Sequence, residues 1–110
     1  MLDHLSLGVV ALAPAATFYD AVLAALGFVR VWTNEKAIGY GPSGSDDKLA
    51  LKERPGARAA GEGFHIAFAA TSRAAVDAFH AAALYSWRCG RRRSRATPGV
   101  WSRVLRRFRC

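Results

Sequence analysis

The sequence predicts an α+β fold, one β-α-β-β-β unit followed by the first strand and helix of a second, incomplete copy. Three observations carry that reading. Apolar and small or polar residues alternate over Leu2–Val9, as in a strand with one buried face. Phe18, Val22 and Leu26 recur at four-residue spacing behind Pro14, as along one side of a helix. The stretches beginning near His4 and His65 align without gaps at a constant offset of 61 residues.

In the first unit, Leu5, Leu7 and Val9 share one side of the opening strand, with His4, Ser6 and Gly8 on the other. Pro14 suits the first turn of the helix, where its missing N–H costs nothing, and Gly27 is a natural stop. Phe28–Thr33, Ala37–Gly41 and Lys48–Lys52 read as three further strands. The last two are joined by Gly41-Pro42-Ser43-Gly44-Ser45-Asp46-Asp47, whose residues have turn chemistry. The unit occupies residues 1–54, and the stretch 55–63, with Pro55, Gly56, Gly61 and Gly63, is a linker.

The second copy opens at Phe64 and occupies residues 64–84. Phe64, Ile66 and Phe68 alternate with His65, Ala67 and Ala69 as a strand. Thr71 or Ser72 can cap a following helix with Val76, Phe79 and Ala83 as its apolar stripe. The repeat pairs His4 with His65, Leu5 with Ile66, Leu7 with Phe68 and Phe18 with Phe79. Three expected strands do not follow.

The segments D-H-L-S-L-G-V, F-Y-D-A-V-L-A-A-L-G-F, G-E-G-F-H-I-A-F and S-R-A-A-V-D-A-F-H-A-A-A-L resemble the glyoxalase/bleomycin resistance/dioxygenase (vicinal oxygen chelate) superfamily over residues 1–84. The resemblance implies paired βαβββ modules around a shared cleft. It implies a divalent metal (Fe, Mn, Ni or Zn), held by a histidine on the first strand of each module and a glutamate on the last strand. Carried over, His4 and His65 are the metal-ligand positions, and each falls on the strand side opposite the large apolar residues. The final-strand glutamate has no counterpart. Glu53 lies near a position some relatives use, but it shares a side with Leu49 and Leu51 and reads as a solvated strand-end charge.

Composition changes abruptly at residue 85. Residues 1–84 hold all eight acids against seven bases, whereas 85–110 hold nine arginines, no lysine and no acid. The formal charge of +8 therefore belongs to the tail. Read one nucleotide later, with arginine as CGN, residues 91–109 become compatible with D-D-G-A-P-G-L-R-P-E followed by Y-G-P-G-Y-Y-A-A-F-V. That string resembles the missing part of the same family and points to a shifted frame entered near residues 84–87. Taken at face value, R-C-G-R-R-R-S-R instead favours phosphate backbones without sequence preference, through charge neutralisation. Cys89 and Cys110 make no disulfide framework, so a cytoplasmic location is expected. No apolar run is long enough to cross a bilayer.

These features leave three functions. One is a metal-dependent lyase, isomerase or dioxygenase ancestry on a small oxygen-chelating substrate, inactive here for want of the last strands and the carboxylate. The second is a metal-free binding protein of the bleomycin-resistance type, with Trp32 and Tyr40 beside a cleft; both aromatics read more simply as strand core. The third is non-specific nucleic-acid binding through the tail. A homodimer is a further expectation, since an incomplete second module leaves apolar strand faces without partners.

Overall fold

The computed structural model describes residues 2–93, with side chains described through Arg88. β1 (Leu5–Val9) leads into α1 (Leu12–Ala24), followed by β2 (Phe28–Asn34), β3 (Ala37–Pro42) and β4 (Leu49–Glu53); α2 spans Arg73–Arg93. The strands form one sheet in the order β1-β4-β3-β2. β1 runs parallel to β4, and the other two pairings are antiparallel. The β1–α1–β2 connection thus crosses the whole sheet, and α1 is the element that covers it.

Alternation sorts the two faces. Ile38, Tyr40, Leu49 and Leu51 join Ala15, Ala16, Tyr19, Val22 and Leu23 of α1 in a single buried cluster. Leu5, Leu7, Val9, Phe18 and Leu26 pack against its margin. The stripe expected at Phe18, Val22 and Leu26 is therefore centred slightly differently, on Tyr19, Val22 and Leu23. α1 ends as expected: Gly27 adopts a φ of 80°, and its N–H reaches the Ala24 carbonyl at 3.0 Å. The 41–47 stretch also turns as expected, with Gly44 at a φ of 74° and the Ser45 N–H on the Pro42 carbonyl.

Glu53 corrects the sequence reading. The residue before α1 is Ala11, which has no side chain to cap the helix. Glu53 supplies the cap from the end of β4, its Oε2 accepting the Leu12 N–H at 2.9 Å. A carboxylate there satisfies one orphan donor and meets the positive end of the helix dipole. It is a half-buried structural acceptor and not a solvated strand-end charge. Glu53→Ala is expected to lower the unfolding free energy by about 1 kcal/mol, measured by urea denaturation.

The second copy departs further from expectation. Residues 64–69 form no strand, although their alternation is that of one. A strand needs a ladder partner, and the three strands that would follow it are absent from the described residues. Phe64 is 58% exposed, while Phe68 leans on Phe79 with ring centroids 6.0 Å apart. Ser72 rather than Thr71 caps α2, its Oγ accepting the Ala75 N–H at 3.1 Å. The helix packs on α1 through Phe79, Ala82 and Ala83, whereas Val76 of the expected stripe is exposed. α2 also continues past Leu84 through residues 85–93, so the composition break falls inside a helix. The remainder of the tail, 94–110, lies outside the described residues.

Candidate functional site

The sheet face turned away from α1 is floored by small side chains. The pleat assigns it Ser6 and Gly8 from β1, Ala50 and Lys52 from β4, and Ala37, Gly39 and Gly41 from β3. Its one large aromatic is Trp32. Arg30 pairs across with Tyr40 but Trp32 pairs with Gly39, because the register slips by one residue between them. Such a bulge re-aims every side chain beyond it. Without it Trp32 would share the helix side with Arg30; with it the indole lies over Gly39 on the opposite face. A Cβ at Gly39 would fall 2.2 Å from the indole nitrogen, so only glycine permits this seat. The indole N–H donates to Asp47 Oδ1 at 2.9 Å, and the ring remains 36% exposed. Val29, also on this face, is half exposed.

The two aromatics proposed for a cleft are thus separated. Tyr40 is core, 1% exposed, and its hydroxyl donates to Asp20 Oδ1 at 2.9 Å. Asp20 also receives both arms of Arg30, from Nε at 2.8 Å and from a terminal nitrogen at 2.5 Å. This forked pairing ties α1 to β2 and β3. Burial and the Asp20 hydrogen bond push the Tyr40 phenol well above its usual range, and burial pushes Tyr19 up to about 12, so neither is an acid or base near neutrality. Burial alone would raise the Asp20 carboxyl. The hydrogen bonds from Arg30 and Tyr40, together with the Arg30 charge, outweigh it and hold the group below its ordinary value. A lowered folded pKa means stabilisation that is complete above the unfolded value and lost as pH falls through the folded one. Chemical denaturation should therefore show stability level above about pH 5 and falling below about pH 4, with Asp20→Asn flattening the fall.

Both expected metal ligands, His4 and His65, are exposed. His4 precedes β1 on the exposed surface, and its Nδ1 lies 3.3 Å from Asp3 Oδ2. That hydrogen bond and the nearby Lys48 hold the Asp3 carboxyl below its ordinary value. His65 is exposed in the unpaired 64–69 segment. Among the described residues no group of three or more His, Cys, Asp or Glu could hold a metal ion. Glu53, which lies near a position some relatives use, faces the helix side and is engaged at Leu12. Among the described residues the donor set does not fit a resident divalent ion.

A concavity of about 440 Å³ lies on the helix side, between the start of α1 and the β2–β3 hairpin, beside Leu12, Ala16, Thr33, Ile38 and Glu53. Two of its polar groups serve the fold, Glu53 capping α1 and Arg30 binding Asp20.

The structure is thus a four-stranded βαβββ sheet with one face covered by α1 and the other made of small side chains and Trp32. The family model for the Glyoxalase/Bleomycin resistance protein/Dioxygenase superfamily matches residues 1–84, and the chain belongs to that superfamily. It is similar to the crystal structure of a glyoxalase/bleomycin resistance protein from Albidiferax ferrireducens T118. The two are 29% identical with a TM-score of 0.66, over 76% of this chain and 69% of the other. No curated protein matches. Among the described residues no helix is long and apolar enough to cross a membrane.

Proposed function

We propose that this chain is a metal-free, catalytically inactive member of the superfamily that binds a small, flat organic ligand against Trp32. The observation that carries the reading is the bulge that turns Trp32 onto the open face and seats it on Gly39. A half-exposed indole above small residues offers a flat stacking surface, while Asp47 holds its edge and limits the entropy lost on binding. The lack of a three-donor group among the described residues, with Glu53 engaged at Leu12, favours binding over the lyase, isomerase or dioxygenase chemistry of metal-dependent relatives. The ligand class follows the binding branch of the superfamily name, in which bleomycin is the type of molecule sequestered. A cytoplasmic setting and a homodimer that completes the cleft are parts of the same proposal.

The test is a titration of the chain with metal-free bleomycin and with a simple fused-ring aromatic, in the presence of a chelator. Saturable binding is expected, weakened about tenfold, roughly 1.4 kcal/mol, by Trp32→Ala. Gly39→Ala should weaken it likewise, because the new methyl evicts the indole without touching the core. Affinity unchanged in both variants, or dependent on added metal, would contradict the proposal.

A further inference from the structure

The open face of the sheet carries two cations beside the Trp32 seat. Strand register sets its side chains in rows, with Ser6, Ala50 and Gly39 in one and Gly8, Lys52 and Ala37 in the next. Trp32 lies over Gly39 in the first row. Lys52 stands in the second, one same-face step along β4 from Ala50, a rise of about 7 Å. Its row neighbours Gly8 and Ala37 do little to shield it, and it is exposed. Arg54 joins it from the chain beyond β4. The Arg54 N–H donates to the Val9 carbonyl at 2.7 Å, and the Ala57 N–H closes a turn on the Arg54 carbonyl at 2.8 Å. That turn folds over the end of β1. A Cβ at Gly8, directed to the open face, would stand 3.8 Å from Arg54 Cγ and 3.5 Å from the Ala57 methyl. Lys52 and Arg54 therefore both border Gly8. The acids nearest in sequence are committed, Glu53 to the Leu12 N–H on the helix side and Asp47 to the indole.

We propose that the ligand of this face is a flat aromatic carboxylate, its ring stacked on Trp32 and its acid group held by Lys52 and Arg54 over Gly8. The inference rests on the Trp32 reading and names the ligand class within it. Three features favour it. The two cations stand together, and Lys52 has no ion pair among the described residues to neutralise it. The chemistry is complementary, since a guanidinium fork matches the two oxygens of a carboxylate and an ammonium adds a mobile donor beside it. The floor between the indole and the cations is Ala50, Gly8 and Ala37, low enough for a ring to lie flat while its acid group reaches the second row. The same two charges oppose a divalent cation at this place.

Isothermal titration calorimetry of the full chain with naphthoate and with naphthamide, which has the same shape and no charge, tests this. Naphthoate should bind about tenfold more tightly at low salt, a margin that shrinks as salt screens the exposed cations. In the Lys52→Gln, Arg54→Gln double variant the two ligands should bind alike, at the parent's affinity for the amide. The Lys52→Arg, Arg54→Lys double variant keeps both charges and should keep the margin. Both side chains are exposed, so circular dichroism of the variants should match the parent. A margin that persists in the glutamine variant would assign the acid group to the arginines of residues 85–110 and overturn the proposal. Equal binding of the two ligands by the parent, lost in Trp32→Ala, would overturn the acid-group inference and leave the Trp32 reading standing. Saturable binding of neither ligand would overturn both.

Discussion

Leu51→Ala is expected to cost about 3 kcal/mol of unfolding free energy, enough to leave a small domain marginal or unfolded at 25 °C. Leu51 is fully buried at the centre of β4, which pairs with β1 on one side and β3 on the other. It pairs with Leu7 and with Ile38, so its side chain sits where α1 meets the middle of the sheet. Truncation leaves a cavity that no neighbour can close without moving a strand. Urea denaturation measures the loss. Lys52→Ala, one residue along and facing away from α1, should change stability by no more than a few tenths of a kcal/mol. Equal effects at the two positions would mean that the faces of the sheet are assigned the wrong way round.

Gly41→Ala is the second large effect, and it acts through backbone. A Cβ at Gly41 would stand 2.3 Å from the carbonyl oxygen of Asp46 across the turn between β3 and β4. A side chain in that place could rotate aside, but a carbonyl can withdraw only if the 42–48 turn reopens. The Lys48 N–H to Tyr40 carbonyl bond, 2.7 Å long, closes the same turn and would be stretched. The expected loss is about 2–3 kcal/mol, the range for overpacking against an unyielding neighbour. Gly56→Ala provides the comparison, since its added methyl meets nothing within 4 Å and its φ is unexceptional. It should be neutral or slightly stabilising, because alanine restricts the unfolded chain. Thermal melts of the two variants decide the point.

The fold of residues 1–54 was largely legible in the sequence because each element carries its own local signal. β1 and the α1 stop at Gly27 follow from alternation and from the left-handed freedom of glycine, both properties of adjacent residues. The turn after β3 was legible for the same reason. What escaped was decided by register and by distant partners. Trp32 has the parity of Arg30, so alternation assigns both to one side; the slip between them is a property of the β2–β3 pairing and leaves no mark in β2 alone. Glu53 has the parity of Leu49 and Leu51, which was read correctly, but its partner lies 41 residues earlier at Leu12. A signal did exist there: an α1 that begins at Ala11-Leu12 has no Ser, Thr, Asp or Asn to cap it, and so needs an acceptor from elsewhere.

The segment 64–69 shows the opposite failure. Its alternation is as clean as that of β1, yet it forms no strand, because alternation describes a face to bury and not an edge to pair with. β1 has β4 beside it, whereas the strands that would follow the segment in its own copy are absent from the described residues. The matched histidines share that fate. The repeat places His4 and His65 at equivalent points of two units, but among the described residues the second unit forms its helix and not its opening strand, so equivalence in sequence is not equivalence in structure. The composition break at residue 85 was legible as well, but not its position within α2, since a helix can run from an anchored apolar half into a solvated basic one.

Metal retention bears most directly on the central claim, that the open face binds without a resident ion. The full chain and its His4→Ala, His65→Ala double variant are each equilibrated with Mn, Fe, Ni and Zn, desalted, and measured for metal per chain by elemental analysis. Both should retain far less than one ion per chain, with no difference between them. One ion per chain in the parent, lost in the double variant, would contradict the account and restore the two histidines as ligands of a shared site.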